Sequence, residues 1–295
     1  MNKFHGTGVA LVTPFNQDGS IDYKGLEALI NLTINGGAEY LVSLGTTGET
    51  ATLSNNEKTA IWDFTSKIVN KRVELVAGIG GNSTSEVLES IKNFNTDGYD
   101  AILSVSPYYN KPTQEGIYQH YKAIAQVSPL PVMLYNVPSR TGSNIAAETT
   151  LRLAYDFNNI IAIKEASGDL DQCNKIIKNK PEGFLFISGD DALTLPLIAI
   201  GSVGTISVVA NALPEIFSTM VRMCLNNNFT EAQPLHYSLI EIISLLFKEG
   251  NPGGVKAVLK LLGICNDTMR LPLVNISEET FQELATELEK LKITL

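Results

Sequence analysis

The chain has 295 residues, 44% of them hydrophobic and 18% charged, a balance that suits a folded protein with a sizeable core and argues against disorder. A net charge of −9, with no basic run interleaved with aromatics, argues against a nucleic-acid partner, which needs clustered Lys and Arg. Three scattered cysteines (Cys173, Cys224, Cys265), no C-x-x-C and only three histidines (His5, His120, His236) form neither a disulfide framework nor a metal-ligand set. Reduced thiols fit a cytoplasmic protein. The first residues, Met1-Asn-Lys-Phe-His-Gly-Thr-Gly8, lack the apolar stretch of a signal peptide.

Along the chain, short apolar runs alternate with amphipathic helical stretches, a spacing of about 25–35 residues. The runs predict strands over residues 8–12, 40–44, 73–77, 101–105, 132–135, 160–164, 184–187 and 205–209. Between them, Ser54-x-x-Glu57 and Ser83-x-x-Glu86 read as capping boxes. Gly36-Gly37 reads as a helix stop, and Asp169 and Asp190 or Asp191 as helix starts. Residues 192–214 carry no charge, but Pro196, Gly201, Gly204 and Asn211 divide them into helix, turn and strand, so no membrane partner is expected.

Alternating β and α units with near-continuous apolar strands imply a parallel sheet covered by helices. Eight units, with no G-x-G-x-x-G after the first strand, imply an α/β fold closed into a (β/α)8 TIM barrel over residues 1–212. Helices predicted over 214–226, 230–247, 254–262 and 277–291 make residues 213–295 a C-terminal helical region packed on that barrel.

Active residues of such barrels sit at the C-terminal ends of strands. Those ends here are Gly45-Thr46-Thr47-Gly48-Glu49, Ser106-Pro-Tyr108-Tyr109-Asn110, Tyr135-Asn-Val-Pro-Ser-Arg140-Thr-Gly142, Lys164, Ser188-Gly189-Asp190-Asp191 and Ile206-Ser207. Side chains alternate along a strand, so Lys164 shares a face with Ala162, whereas Ile161, Ile163 and Glu165 share the other. Glu165 is therefore poorly placed as its counter-ion. Burial favours the unprotonated amine, the form that attacks a carbonyl; a lysine snorkelling to solvent is the bland alternative. Hydroxyls with one lysine and one arginine, and no carboxylate pair or metal set, fit covalent amine catalysis on a keto compound. Arg140 suits a substrate carboxylate, and Tyr135 suits proton transfer through Thr46 and a further hydroxyl. Each piece alone also reads as ordinary structure. Gly45–Glu49 makes a tight turn, Tyr108-Tyr109 packs at a subunit contact, and Asp190-Asp191 caps a helix. Gly201-Ser-Val-Gly204 turns without a phosphate.

From residues 8–14 (Gly-Val-Ala-Leu-Val-Thr-Pro) to residues 268–272 (Thr-Met-Arg-Leu-Pro), the chain resembles the dihydrodipicolinate synthase family of the N-acetylneuraminate lyase superfamily. Gly45–Glu49, Tyr135-Asn-Val-Pro138 and Lys164 are similar across the superfamily's pyruvate-dependent aldolases. Ser106–Pro112 and Pro138–Gly142 are more specific to the synthases. The resemblance implies that Lys164 forms a Schiff base with pyruvate, with no cofactor. Tyr135, Thr46 and Tyr109 would form a proton relay, Tyr109 reaching in from a neighbouring subunit. Thr47 would contact the pyruvate carboxylate and Arg140 that of L-aspartate 4-semialdehyde, while Gly189 and the Ile206 carbonyl would line the pocket. The product would be 4-hydroxy-tetrahydrodipicolinate, a precursor of diaminopimelate and lysine, and the assembly a homotetramer of tight dimers. Asn82, Glu86 and Tyr108 match a dimer-interface cleft that binds inhibitory L-lysine. Asn55 and Lys58 stand where strongly regulated members carry histidines; Lys58 would repel the effector's ammonium, which favours weak inhibition and leaves regulation open. A sister aldolase acting on a sugar acid and a non-catalytic keto-acid sensor are the alternatives. Arg140 and Tyr108-Tyr109-Asn110 favour the synthase.

Overall fold

A computed structural model describes residues 3–291. Eight parallel strands close into a barrel in sequence order: β1 Gly6–Ala10, β2 Tyr40–Ser43, β3 Glu74–Gly78, β4 Ala101–Val105, β5 Val132–Asn136, β6 Ile160–Glu165, β7 Leu185–Ser188 and β8 Gly204–Ser207. Strand β8 completes the ring by pairing with β1, Gly6 opposite Gly204. Every predicted strand is present within about two residues, the ordinary uncertainty of element ends. Strand β8 stops at Ser207, two residues short of its expected end, because Val209–Asn211 coils into a 3-10 turn whose Asn211 side chain bonds Ala10 and Val12 on the β1 side.

The helices are α1 Tyr23–Asn35, α2 Asn55–Val69, α3 Thr84–Asn93, α4 Gln114–Val127, α5 Pro138–Thr141, α6 Ala147–Asp156, α7 Leu170–Asn179, α8 Thr194–Ala199, α9 Pro214–Leu225, α10 Phe229–Lys248, α11 Gly253–Leu261 and α12 Glu278–Lys290. Their outer apolar layer is one cluster running from Val9 to Leu288, so the C-terminal helices share the barrel's main core. A second cluster fills the barrel interior with Ala10, Tyr40, Val42, Val76, Leu103, Met133, Tyr135, Ala162, Ile187 and Ile206. The uncharged stretch at 192–214 divides into α8, a turn and β8, and no described helix is long and apolar enough to cross a membrane.

The helix signals mostly act as read. Ser54 and Glu57 form a reciprocal capping box on α2, Gly36 ends α1, and Asp169 caps α7 through the Gln172 N–H. Three expectations need correction. Ser83 precedes α3 but its hydroxyl faces Ser85, so that capping box does not form. Neither Asp190 nor Asp191 caps a helix, since α8 starts only at Thr194. Asp190 instead accepts from Ala192 and Leu193 in the turn ahead, and buried Asp191 accepts from Val208 and Val209, joining the ends of β7 and β8. Finally, the β5–β6 register shifts between Val132 and Met133, so Ile161 falls out of alternation and packs against the interior cluster, apart from Ile163 in the outer layer.

Candidate active site

The rim is built where the sheet stops. Strand β2 cannot run on past Ser43, because Leu44 takes the left-handed conformation (φ +60), as does Glu49 (φ +51) after the 3-10 turn Thr46–Gly48. Such φ values are strained for side chains other than glycine and asparagine and mark backbone held by its surroundings. Gly78, at the end of β3, makes room for this turn: a Cβ there would lie 2.2 Å from the Leu44 carbonyl oxygen. The Thr50 hydroxyl bonds the Leu44 and Gly45 carbonyls at 2.8 Å each, and the Thr13 hydroxyl holds the Gly48 carbonyl at 2.7 Å.

Lys164 is the last residue but one of β6 and is 5% exposed. Tyr135 is its register partner on β5, and the Lys164 Nζ lies 4.3 Å from the centre of the Tyr135 ring. None of the ion pairs among the described residues includes Lys164. Gly189 leaves space for it, since a Cβ there would lie 3.1 Å from the Lys164 Cε. Glu165 is turned away and fully engaged. It accepts from Asn136 at 3.0 and 3.1 Å, the Gln172 side chain at 2.9 Å and the Ser167 N–H at 2.7 Å. Burial pushes the Glu165 carboxyl up from its ordinary value, and those donors oppose the shift. Because Asn136 follows Tyr135 and Glu165 follows Lys164, this clamp fixes the ends of β5 and β6 side by side.

At the Tyr135 end opens a cavity of about 460 Å³, lined by Thr46, Lys58, Tyr108, Tyr135, Arg140 and Asn251 among others. Arg140 sits at its exposed mouth on α5, which Pro138 starts. Thr47 is buried behind the turn and its hydroxyl accepts from Asn251 at 3.0 Å. Ile206 is buried in the interior cluster. Lys164, Thr47, Gly189 and Ile206 do not line this cavity, and neither does Tyr109, which with φ +74 is 88% exposed. A second cleft of about 460 Å³ brings together Asn55, Lys58, Asn82, Glu86 and Tyr108, and shares Ala51, Lys58, Gly80 and Tyr108 with the first. A larger hollow, about 690 Å³, opens near the N-terminal ends of the strands at Lys3, Glu74 and Asp100. Its Lys3 is already paired with both carboxylates, and that end of such barrels carries stability, not chemistry.

This rim, with a buried amine beside a phenol, hydroxyls on the neighbouring turn and a guanidinium at the mouth, fits covalent chemistry on a keto acid. Residues 3–291 match the model of the Dihydrodipicolinate synthetase family. The chain belongs to that family. It is 53% identical over 284 residues to the 4-hydroxy-tetrahydrodipicolinate synthase of Flavobacterium psychrophilum, covering 96% of this chain and 97% of that one. Among solved structures it superposes on dihydrodipicolinate synthase from Aquifex aeolicus with a TM-score of 0.96 at 39% identity, covering 99% of each chain. It superposes equally well, TM-score 0.96 at 40% identity, on the chloride-inhibited enzyme from Acinetobacter baumannii complexed with pyruvate, covering 99% of this chain and 100% of that one.

Sequence reasoning missed the supports of the site: the Asn136–Glu165–Gln172 clamp, Asn251, and a wholly buried ion pair between Glu49 and Lys256. One signal was available. Lys256 stands in the otherwise apolar run Gly253-Gly-Val-Lys-Ala-Val-Leu259, where a lysine is costly without a partner.

Proposed function

We propose that the chain condenses pyruvate with L-aspartate 4-semialdehyde to give 4-hydroxy-tetrahydrodipicolinate, through an imine on Lys164. The observation that carries this is the Lys164 amine, buried outside every ion pair of the described residues and packed against the ring of Tyr135, which itself lines a cavity with Thr46 and Arg140. The amine attacks the pyruvate ketone, water leaves, and loss of a methyl proton gives an enamine that adds to the aldehyde. In this reading Tyr135 and Thr46 pass the protons of imine formation, with Tyr109 from a second copy of the chain completing the relay. Thr47 and its turn hold the pyruvate carboxylate. Arg140 holds the carboxylate of the semialdehyde with its planar fork, and Gly189 and Ile206 shape the pocket wall.

The same proposal covers assembly, place and control. A homotetramer of tight dimers would supply the borrowed Tyr109, whose side chain projects almost fully from its own protomer. Three free thiols agree with the cytoplasm. The cleft at Asn82, Glu86 and Tyr108 would be the L-lysine site, with Lys58 on its wall favouring weak inhibition. Borohydride reduction with pyruvate tests the central step: mass spectrometry is expected to find a carboxyethyl adduct on Lys164. No adduct, or one on another lysine, would reject the mechanism.

A further inference from the structure

We infer that Lys256 and Glu49 are positioning residues for the Thr46–Thr47 turn, so that the C-terminal helices form part of the catalytic machinery. The inference rests on the reading of that turn as the part that handles the pyruvate carboxylate and its protons. Glu49 closes the turn in the left-handed conformation, its N–H bonded to the Thr46 carbonyl at 3.1 Å, while its side chain is fully buried. A glutamate has no intrinsic preference for that backbone region, so something outside the turn must hold it there.

The holding groups come from more than 200 positions away. One carboxylate oxygen of Glu49 accepts from the Lys256 ammonium, the other from the Arg270 N–H at 3.1 Å. Lys256 also donates to the Thr268 carbonyl at 2.9 Å and lies 4.2 Å over the Phe15 ring, so its charge is fully engaged. On the far side of Gly48, Asn251 bonds the Thr47 hydroxyl. Asn251 just before α11 and Lys256 in its first turn thus hold the turn at Thr47 and at the residue that closes it, Glu49. Asn251 also lines the cavity. Buried ion pairs are often no more stabilising than apolar residues of similar volume, so stability alone is a weak reason for this one. Its attachment to a strained turn at the site is a stronger one.

The test separates position from stability. Lys256→Met alone strands the Glu49 carboxylate and is expected to lower the thermal midpoint. Combining it with Glu49→Gln removes both charges and is expected to restore that midpoint, while the KM for pyruvate stays about tenfold above the unaltered protein's. Unfolded molecules lower kcat without changing KM, so the split reports geometry. Asn251→Ala, which keeps the ion pair, is expected to raise the same KM with little thermal loss. Either a native KM in the double variant or a native KM in Asn251→Ala would overturn the proposal. If the unaltered protein gave no borohydride adduct on Lys164, the underlying reading would fall first, before any variant is made.

Discussion

Lys164 is buried with its amine over the Tyr135 ring face, and none of the ion pairs among the described residues includes it. Replacing it with alanine is expected to abolish the pyruvate adduct. Arg140 stands apart from that chemistry at the exposed mouth, so Arg140→Ala is expected to keep the adduct and weaken the apparent affinity for the semialdehyde by about tenfold or more. Unchanged affinity in steady-state kinetics would remove Arg140 from its role. A different residue sets an acid limit. His120 is buried between α3 and α4, bonded to the Thr84 hydroxyl, and burial pushes its imidazole down to about 4. The unfolded chain then binds more protons than the folded one between about 6.5 and 4, so stability is full above that window and falls as pH drops through it. The loss approaches about 3 kcal/mol at its limit. Denaturation curves across that range should flatten in His120→Gln, and an equal slope in both proteins would contradict the assignment.

At the level of elements, paired strand ends do most of the positioning. Register places Tyr135 opposite Lys164, and the side chains one residue further on, Asn136 and Glu165, lock that register from outside the barrel. Glu165 also draws on Gln172 from α7 and on the Ser167 N–H, so a single buried carboxylate ties two strands, a loop and a helix. Asn136→Ala removes a donor from a group that water cannot reach. A destabilisation of about 1–3 kcal/mol is expected in urea unfolding. A variant as stable as the parent would show that Gln172 and Ser167 satisfy Glu165 unaided.

For the whole molecule, the main consequence lies outside a single chain. Tyr109 is presented on strained backbone and is almost wholly exposed, while a cavity that lacks it opens on the same rim. If a second copy supplies this phenol, specific activity should fall as dimers dissociate on dilution, and Tyr109→Phe should lower kcat without changing the sedimentation profile. A dilution series of constant specific activity, in step with a dissociating profile, would exclude a borrowed residue. Within one chain, α9 to α12 share the apolar cluster of the barrel's outer layer, so among the described residues this region packs into the barrel's own core.

The sequence by itself determined the eight strands, the closed parallel barrel, the C-terminal helices and the rim residues Thr46, Tyr135, Arg140 and Lys164. Those features depend on local patterns: apolar runs, caps, turns, and the rule that strand ends carry the site. It also placed Glu165 off the lysine's face, because alternation along a strand is local too. Only the tertiary structure decided the rest. The Ser83 hydroxyl turns to Ser85, Asp191 serves two strand ends, and a register shift moves Ile161 inward. Glu49 finds Lys256, and Thr47 finds Asn251, across more than 200 residues of chain. Partners that far apart leave no periodicity to read, since their pairing is fixed by how the barrel closes and where α11 comes to rest.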